Sequence, residues 1–272
     1  MDEIDRFLEE DLDGEGDVTS NALFTNELAS ARIIAKESAV LAGIDEASIV
    51  FDRTGATLHK EKEDGSIVSA MDVVAKVNGS VKSILVGERL ALNIIGRMSG
   101  IATQTKKIVD SCHRVNPKVT IAATRKTTPG FRKFEKKAVE LGGGESHRFG
   151  LFDAVMIKDN HIAAKGSFKQ TIETVTSKVI NKIIEVEVET ENQAVQAAQM
   201  DVDVIMLDNF SPRKAREITK KIKDINSSIR IEISGGINPE NIHDYVKFAD
   251  RISMGYLTHT IKNSDFSLDL VK

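Results

Sequence analysis

The chain has 272 residues, of which 41% are hydrophobic and 29% are charged, and its formal net charge is −4 at pH 7. This composition predicts an ordinary globular protein with a substantial core, and it disfavours a protein that coats nucleic acid. A single cysteine, Cys112, excludes an intrachain disulfide. Because the sequence also lacks a signal peptide or an apolar run of membrane length, we expect a cytoplasmic protein without nucleic-acid or membrane partners.

Residues 1–102 are predicted to form an α/β sandwich domain with an antiparallel sheet and a linker helix. Ile44–Arg53 has the pattern of a short helix, and Asn78-Gly79 is a strong hairpin signal. Strands bounded by turn-forming residues are predicted over 31–43, 55–60, 73–79 and 80–87.

A helical segment links this domain to the second half of the chain. From Glu88 the apolar residues recur at helical spacing, and Gly96 and Gly100 are candidate breaks in this helix. After Asn116, strands and helices alternate. The predicted strands are 119–123, 153–158, 182–189, 202–208, 229–234 and 251–255, and the predicted helices are 131–141, 167–178, 191–200, 212–224 and 239–248.

The alternation decides the fold class of the second half. Repeated strand–helix units imply parallel strands joined by right-handed crossovers. Six strands are too few for a closed eight-stranded barrel. The sequence therefore predicts an α/β protein in which residues 103–255 form an open, incomplete parallel barrel of about six strands. We expect the tail, residues 256–272, to pack back on the first domain.

Parallel barrels bind their ligands at the carboxyl ends of the strands. The candidates at these ends are Thr124, Arg125, Lys126, Lys158, Glu187, Asp208, Ser234, Gly235, Gly236 and Gly255. His147-Arg148 follows a run of three glycines in the same basic window. Because arginine binds carboxylate or phosphate through paired hydrogen bonds, this window predicts a site for anionic ligands.

Two glycine segments predict a phosphate site. Ser234-Gly235-Gly236 precedes the helix expected from Pro239, so bare amides and a helix dipole would face an anion. Gly255 follows the last strand, where barrels commonly bind phosphate. The alternative is an ordinary turn between strand and helix.

Glu187 and Asp208 are expected on neighbouring strands. Paired carboxylates hold Mg²⁺, bind the diol of a ribose or stabilise a positive transition state. Glu185 and Glu189 share the face of Glu187 by strand alternation. A solvated or salt-bridged position is the alternative for each of these glutamates.

His147 and Lys158 each admit two interpretations. A lone histidine is usually structural, but beside Arg148 and the glycines His147 is better explained as a carboxylate ligand. Lys158 ends an apolar strand, so a desolvated amine that forms a Schiff base and a plain anion-binding ammonium both fit.

A series of motifs runs in order along nearly the whole chain. They are E-D-L-D-G-E-G-D-V-T-S, G-E-R-L-A-L-N, M-S-G-I-A-T, T-R-K-T-T-P-G-F-R, K-K-A-V-E-L-G-G-G-E-S-H-R-F-G-L-F-D, I-K-D-N-H-I, E-V-E-V-E, M-L-D-N-F, E-I-S-G-G-I and M-G-Y-L-T-H. Together they closely resemble the quinolinate phosphoribosyltransferase family.

The resemblance implies a homodimer or a larger homo-oligomer, in which the sandwich of one subunit covers the open barrel of its partner. It implies Mg²⁺-dependent phosphoribosyl transfer from phosphoribosyl pyrophosphate to quinolinate with decarboxylation. The products would be nicotinate mononucleotide, pyrophosphate and CO₂, in NAD biosynthesis.

The resemblance also implies a role for each candidate residue. Quinolinate would be bound by Thr124, Arg125, His147, Arg148 and Lys158, and by Arg89 reaching in from the other subunit. Phosphoribosyl pyrophosphate would contact Lys126, Lys158, Glu187, Asp208, Ser234, Gly235, Gly236, Gly255 and His259. Catalysis is expected from Lys126, Glu187 and Asp208, and Mg²⁺ would bind Glu187 and Asp208 directly or through water.

One position departs from the family pattern, and three alternatives remain open. Many family members have Asn before the His-Arg pair, where this chain has Ser146. The alternatives are a molybdenum-cluster-associated relative with another substrate, a Schiff-base aldolase using Lys158, and a non-catalytic ligand-binding protein. The intact Lys158-Asp159-Asn160-His161 run and the Glu187/Asp208 pair favour the quinolinate enzyme.

Overall fold

The computed structural model describes residues 2–271, which form two compact units. The first unit contains the residues up to 106, residues 128–143 and the residues from 261 onward, and the second contains Lys107–Thr127 and Gly144–Thr260. Within the described range, no helix is both long enough and apolar enough to cross a membrane.

Helices and strands are interspersed along the whole chain. To residue 141 they are α1 (Glu3–Leu12), α2 (Val18–Leu23), β1 (Leu28–Ala35), β2 (Ala39–Val40), α3 (Ile44–Thr54), β3 (Thr57–Lys60), β4 (Ile67–Val68), β5 (Val73–Ser80), α4 (Val81–His113), β6 (Thr120–Ala122) and α5 (Arg132–Leu141). From residue 155 they are β7 (Val155–Ile157), α6 (Asp159–Lys165), α7 (Phe168–Lys178), β8 (Ile184–Val188), α8 (Glu191–Ala198), β9 (Val204–Asp208), α9 (Pro212–Ile225), β10 (Arg230–Ser234), a 3₁₀ turn (Ile242–Asp244), β11 (Arg251–Ser253), α10 (Tyr256–His259) and β12 (Phe266–Val271).

The first unit is built on a four-stranded antiparallel sheet in the order β12-β1-β5-β3. Along β1, Ala31, Ile33 and Ala35 are buried while the residues between them are more exposed. This alternation is typical of a sheet that packs one face on a core. The predicted antiparallel sheet is confirmed, and the C-terminal tail supplies its strand β12.

Two expectations for the first unit are wrong. Asn78-Gly79 does not form a hairpin turn, because both residues lie inside β5 and the predicted strand over 80–87 is the beginning of α4. Val81 and Ile84 are buried and lie one helical turn apart. In so short an apolar run, the sequence pattern fits a strand as well as a helix. Helix α4 also continues through Gly96 and Gly100.

Close packing explains Gly96 and Gly100 in α4. A Cβ at Gly96 would lie 2.9 Å from the carbonyl oxygen of Ser264, and one at Gly100 would lie 3.1 Å from Cα of Asn263. The segment before β12 therefore approaches the helix backbone at positions where any side chain would collide with it.

The second unit is a sheet of six parallel strands in the order β6-β11-β10-β9-β8-β7. The order begins at β6 and ends at β7, and among the described residues these two strands do not pair, so the barrel is open. The predicted fold class is thereby confirmed. Strand β9 is almost continuously apolar, as expected for a parallel strand covered on both faces.

The helix predicted over 239–248 is wrong, and only the 3₁₀ turn Ile242–Asp244 forms there. The side-chain oxygen of Asn238 accepts hydrogen bonds from the backbone N–H groups of Glu240 and Asn241. Asn241 in turn donates to the carbonyl of Gly236. These local bonds satisfy the backbone in a turn and thereby compete with a helix.

Candidate active site

The carboxyl ends of the six parallel strands surround a cavity of about 770 Å³ in the second unit. It is lined by Ala123, Thr124, Arg125, Lys126, His147, Arg148, Met156, Lys158, Glu187, Met206, Asp208, Asn209, Glu232, Ser234, Gly235, Gly236, Ile237, Asn238, Ser253, Gly255, Tyr256 and His259. The lining contains every predicted site residue except Arg89. That residue lies exposed on α4, outside this lining.

Lys158 and Glu187 form an ion pair in the cavity. The parallel register of β7 and β8 pairs Ile157 with Val186, which brings the next residues of the two strands together. The ammonium of Lys158 donates to Oε2 of Glu187, whose side chain is only 10% exposed. A paired ammonium has no lone pair for attack on a carbonyl, so this geometry favours anion binding over Schiff-base chemistry.

Asp208 ends β9 and is held by its neighbour. The side-chain amide of Asn209 donates to Oδ2 of Asp208 at 2.6 Å. The backbone of Asn209 is left-handed, with φ 58°, and its N–H donates to the carbonyl of Ser234 at 3.0 Å. This backbone turn at the end of β9 therefore joins the carboxylate to the loop after β10.

The loop Ser234-Gly235-Gly236 lines the cavity, and its two glycines carry no side chains of their own over the backbone. Gly235 has φ 90° and Gly236 has φ 61°, and a Cβ at Gly235 would lie 2.6 Å from the backbone nitrogen of Asn209. Because the helix expected after this loop is absent, the predicted dipole contribution is wrong. An anion here would depend on the amides of the loop.

Gly255 provides a second close contact in the cavity. A Cβ at this position would lie 2.8 Å from Nε2 of His259 and 3.0 Å from Cδ of Lys126. The hydroxyl of Thr258 donates to the carbonyl of Lys126 at 2.7 Å. The β6 and β11 loops therefore meet at Gly255, with Lys126 and His259 beside it.

Two arginines supply much of the positive charge of the cavity. Arg148 is 6% exposed and donates to the carbonyl of Ala154 at 3.0 Å, whereas Arg125 is exposed. Burial, followed by the positive charge of Arg125, lowers the pKa of Arg148. An anionic ligand between the two guanidinium groups would offset this repulsion.

His147 contacts a group of charged residues, which we call the Arg251 cluster: buried Arg251, Glu185 and Glu232, and partly exposed Glu145. Arg251 contacts Oε1 of Glu145 at 2.8 Å, Oε2 of Glu185 at 3.3 Å, and Glu232 through its Nε. Nε2 of His147 is 2.9 Å from Oε2 of Glu185. The cavity histidine is thus tied directly to the cluster.

Charge and burial act differently on the members of the Arg251 cluster. Burial raises the pKa of Glu232, and the neighbouring carboxylate of Glu185 raises it further. Burial would also raise the pKa of Glu145, but the charges of Arg251 and Arg230 outweigh it and lower that pKa.

Sequence reasoning missed Glu145, Glu232 and Arg251, although a signal was present. Glu232 in R-I-E-I-S and Arg251 in R-I-S alternate with buried isoleucines, so their strands place charges on one inner face. Glu185, expected to be solvated or salt-bridged, is completely buried and salt-bridged.

Two family models cover most of the chain. The model described as quinolinate phosphoribosyl transferase, N-terminal domain, matches residues 17–99, and the model of the C-terminal domain matches residues 101–269. The chain belongs to the quinolinate phosphoribosyltransferase family. It is therefore an enzyme of the phosphoribosyltransferase class.

Individual relatives of this phosphoribosyltransferase agree with that assignment. The chain is 45% identical to a "probable nicotinate-nucleotide pyrophosphorylase [carboxylating]" of Archaeoglobus fulgidus, over 94% of this chain and 99% of that protein. It is 40% identical to a protein of the same name from Bacillus subtilis, over 98% and 92%. The crystal structure of NadC from Streptococcus pyogenes superposes with a TM-score of 0.90 at 38% identity, covering 99% of this chain and 96% of that one.

Proposed function

We propose that this phosphoribosyltransferase transfers the phosphoribosyl group of phosphoribosyl pyrophosphate to quinolinate, releasing pyrophosphate and CO₂. The product would be nicotinate mononucleotide, a precursor in NAD biosynthesis. The observation that carries the proposal is the composition of one cavity, in which cations for a dicarboxylate accompany a carboxylate pair and two glycine segments. The names of the similar proteins support the same reaction.

The cationic part of the cavity is proposed to bind the two adjacent carboxylates of quinolinate. Arg125 and Arg148 offer planar forks that match carboxylate geometry. Thr124, His147 and Lys158 line the same cavity and add hydrogen-bond donors. In the described structure Arg148 donates to the carbonyl of Ala154 and not to a carboxylate. Its positive charge is therefore available to be neutralised by an anionic substrate.

The glycine segments are proposed to bind the 5′-phosphate of phosphoribosyl pyrophosphate. Ser234, Gly235, Gly236 and Gly255 supply backbone N–H groups, and His259 lies beside them. Successive amides in left-handed turns form concave sites for anions without any helix dipole.

Glu187 and Asp208 are proposed to stabilise the positive charge that develops on the ribose. The bond from C1 of the ribose to pyrophosphate breaks, and its electron pair leaves with pyrophosphate beside Lys126. The ring nitrogen of quinolinate forms the new bond to C1 with its lone pair. The resulting ring is cationic and accepts the electron pair of the breaking carbon–carboxylate bond as CO₂ departs, and a solvent proton then adds to that carbon. Positioning and electrostatics suffice for both steps.

The carboxylate pair also fits Mg²⁺, which prefers oxygen ligands and retains several waters. Oε2 of Glu187 is engaged by Lys158, and Oδ2 of Asp208 is engaged by Asn209. We therefore expect their other oxygens to hold the ion, directly or through water. Mg²⁺, when bound, would supply positive charge to the pyrophosphate.

Arg89 is proposed to complete the site of the other subunit in a homodimer, because it is exposed and lies outside the lining of its own cavity. The test mixes two inactive variants, Arg89→Ala and Lys158→Met, after dissociation and reassembly. Shared sites predict that about a quarter of the wild-type activity returns through mixed dimers. If Arg89 acts within its own chain, mixing restores no activity.

The function itself is tested by incubating the protein with quinolinate, phosphoribosyl pyrophosphate and Mg²⁺ and separating the products by chromatography. We expect nicotinate mononucleotide, none after chelation of Mg²⁺, and at least a hundredfold slower formation by Lys158→Met. Lys165→Met is the matched control, since this exposed lysine on α6 lies outside the lining and the variant changes the net charge equally. A folded wild-type protein that forms no product would contradict the proposal and favour the molybdenum-associated relative. Reductive trapping of a carbonyl compound on Lys158 would favour the aldolase.

A further inference from the structure

We infer that Glu185 is a positioning residue for His147, holding the proton on Nε2 and fixing the ring toward the substrate in the cavity. The inference deepens the proposed function, because it assumes that His147 binds quinolinate. It concerns a residue that does not line the cavity: His147 is in the lining, whereas Glu185 is fully buried and lies outside the lining.

The contacts of Nε2 identify the position of the proton. Nε2 of His147 is 2.9 Å from Oε2 of Glu185 and 3.2 Å from Nη2 of Arg251. An unprotonated Nε2 could accept from Nη2 of Arg251, but it would direct its lone pair at the nearer carboxylate oxygen of Glu185, which is repulsive. A protonated Nε2 donates to Oε2, and Arg251 then donates to the same oxygen at 3.3 Å. Only the second arrangement gives Oε2 of Glu185 two donors.

The remaining members of the Arg251 cluster hold Arg251, and with it Glu185, in place. Arg251 donates to Glu145 at 2.8 Å and also to Glu232, which accepts a further hydrogen bond from Ser253. The backbone of Glu145 bonds to β6 on both sides, because its N–H donates to Ile121 and its carbonyl accepts from Ala123. The segment that carries His147 is thus fixed from the backbone and from the side chain.

A purely structural role explains Glu185 poorly. Among the described residues, its other oxygen, Oε1, is buried without a hydrogen-bond partner. Burying an unpartnered carboxylate oxygen costs stability. Its presence is understandable if the carboxylate serves the histidine.

The test compares Glu185→Gln with Glu189→Gln, a control that changes the charge equally at an exposed position at the end of the same strand. We expect Glu185→Gln to raise KM for quinolinate about tenfold, the lower end of the loss found when the hydrogen-bond partner of a metal-binding histidine is removed. We expect kcat to stay within about threefold of the wild type, and the KM for phosphoribosyl pyrophosphate to stay unchanged.

A second measurement needs no variant: nitrogen-15 NMR of the histidine rings, with His147 assigned through His147→Gln. The inference requires a wild-type signal with the proton on Nε2. It is overturned by an Nε2 without a proton, by unchanged kinetics in Glu185→Gln, or by a joint fall of kcat and thermal stability in that variant. A wild type that does not use quinolinate would instead refute the proposed function, so the two failures are distinguishable.

Discussion

Each unit of the molecule surrounds one cation with three carboxylates, and the two arrangements differ in what they support. In the first unit Lys137 lies 2.9–3.2 Å from Asp45, Glu46 and Asp64, a group we call the Lys137 cluster. The side chain of Lys137 is 32% exposed. No residue of this cluster lines the cavity.

The Arg251 cluster has the same ratio of charges in a different environment. The side chain of Arg251 is 4% exposed, and its planar fork reaches the three glutamates in fixed directions. The cluster also includes a cavity-lining residue, Glu232, and contacts another, His147. The two clusters show that the composition of a charge cluster does not define its role. The exposure of the cluster and the groups that neighbour it define that role.

The largest difference in stability between the two clusters is expected when the central cation of each is removed. Arg251→Leu leaves buried carboxylates unpaired and should lower the free energy of unfolding by about 3–5 kcal/mol. Lys137→Leu removes a partly solvated ion pair and should cost about 1 kcal/mol. Urea denaturation measures both values. Equal losses would show that burial does not separate the two clusters.

A smaller difference is expected in the pH dependence of stability. Burial and Glu185 raise the pKa of Glu232 above its ordinary 4.5, so its contribution is full below pH 4.5 and is lost as the pH rises. The hydrogen bond from Lys60, with help from Lys137, lowers the pKa of Asp45 below 3.8 despite partial burial, so its contribution is lost as the pH falls below that value.

Two neutral variants isolate these contributions. Between pH 4.5 and 7 the wild type should lose stability relative to Glu232→Gln, by at most about 1.4 kcal/mol per pH unit. Relative to Asp45→Asn, it should lose stability only on acidification below pH 4. Unfolding free energies across this pH range measure both slopes, and slopes of the same sign would be incompatible with the assigned shifts.

A third comparison, between two asparagines with left-handed backbones, tests whether one of them contributes to the active site. Asn209 and Asn181 both have left-handed backbones, but only Asn209 lines the cavity and holds Asp208. Asn209→Gly should lower kcat about fivefold through loss of the amide, while Asn181→Gly should leave kcat unchanged and raise stability by about 0.5 kcal/mol. Steady-state kinetics and thermal unfolding provide both readouts. Unchanged kcat in Asn209→Gly would remove Asn209 from the account.

The smallest effect is expected from neutralising one acid of the Lys137 cluster. Asp64→Asn should lower the unfolding free energy by about 0.5 kcal/mol, because Lys137 keeps two carboxylates. The KM for quinolinate should not change. An altered KM would show that the first unit's cluster also acts on the site.

Local sequence patterns predicted the parallel half of the fold well. The run V-D-V-I-M-L-D corresponds to β9, because an apolar segment of that length between turns has few alternatives. The prediction for the start of α4 was wrong, because the eight residues 80–87, which end in glycine, fit a strand as well as two helical turns. The expected helix over 239–248 failed because the side chain of Asn238 competes for the backbone, which periodicity does not reveal.

The cavity lining was predictable for a related reason. Parallel strands present their carboxyl ends at one edge, so residues that follow six separate strands converge. The Arg251 cluster was not predictable, because Glu185 and Arg251 are 66 residues apart in the sequence. A charged residue within a strand also resembles a solvated residue until the strand register is known. The partner's use of Arg89 likewise remains a prediction.

The central claim is that the cavity of the second unit binds quinolinate through its cations. A crystal structure of the protein with quinolinate tests it most directly. The account predicts both carboxylates in contact with Arg125, Arg148 and Lys158, and the ring close to His147. Quinolinate bound elsewhere, with this cavity empty in a protein that still forms nicotinate mononucleotide, would contradict it.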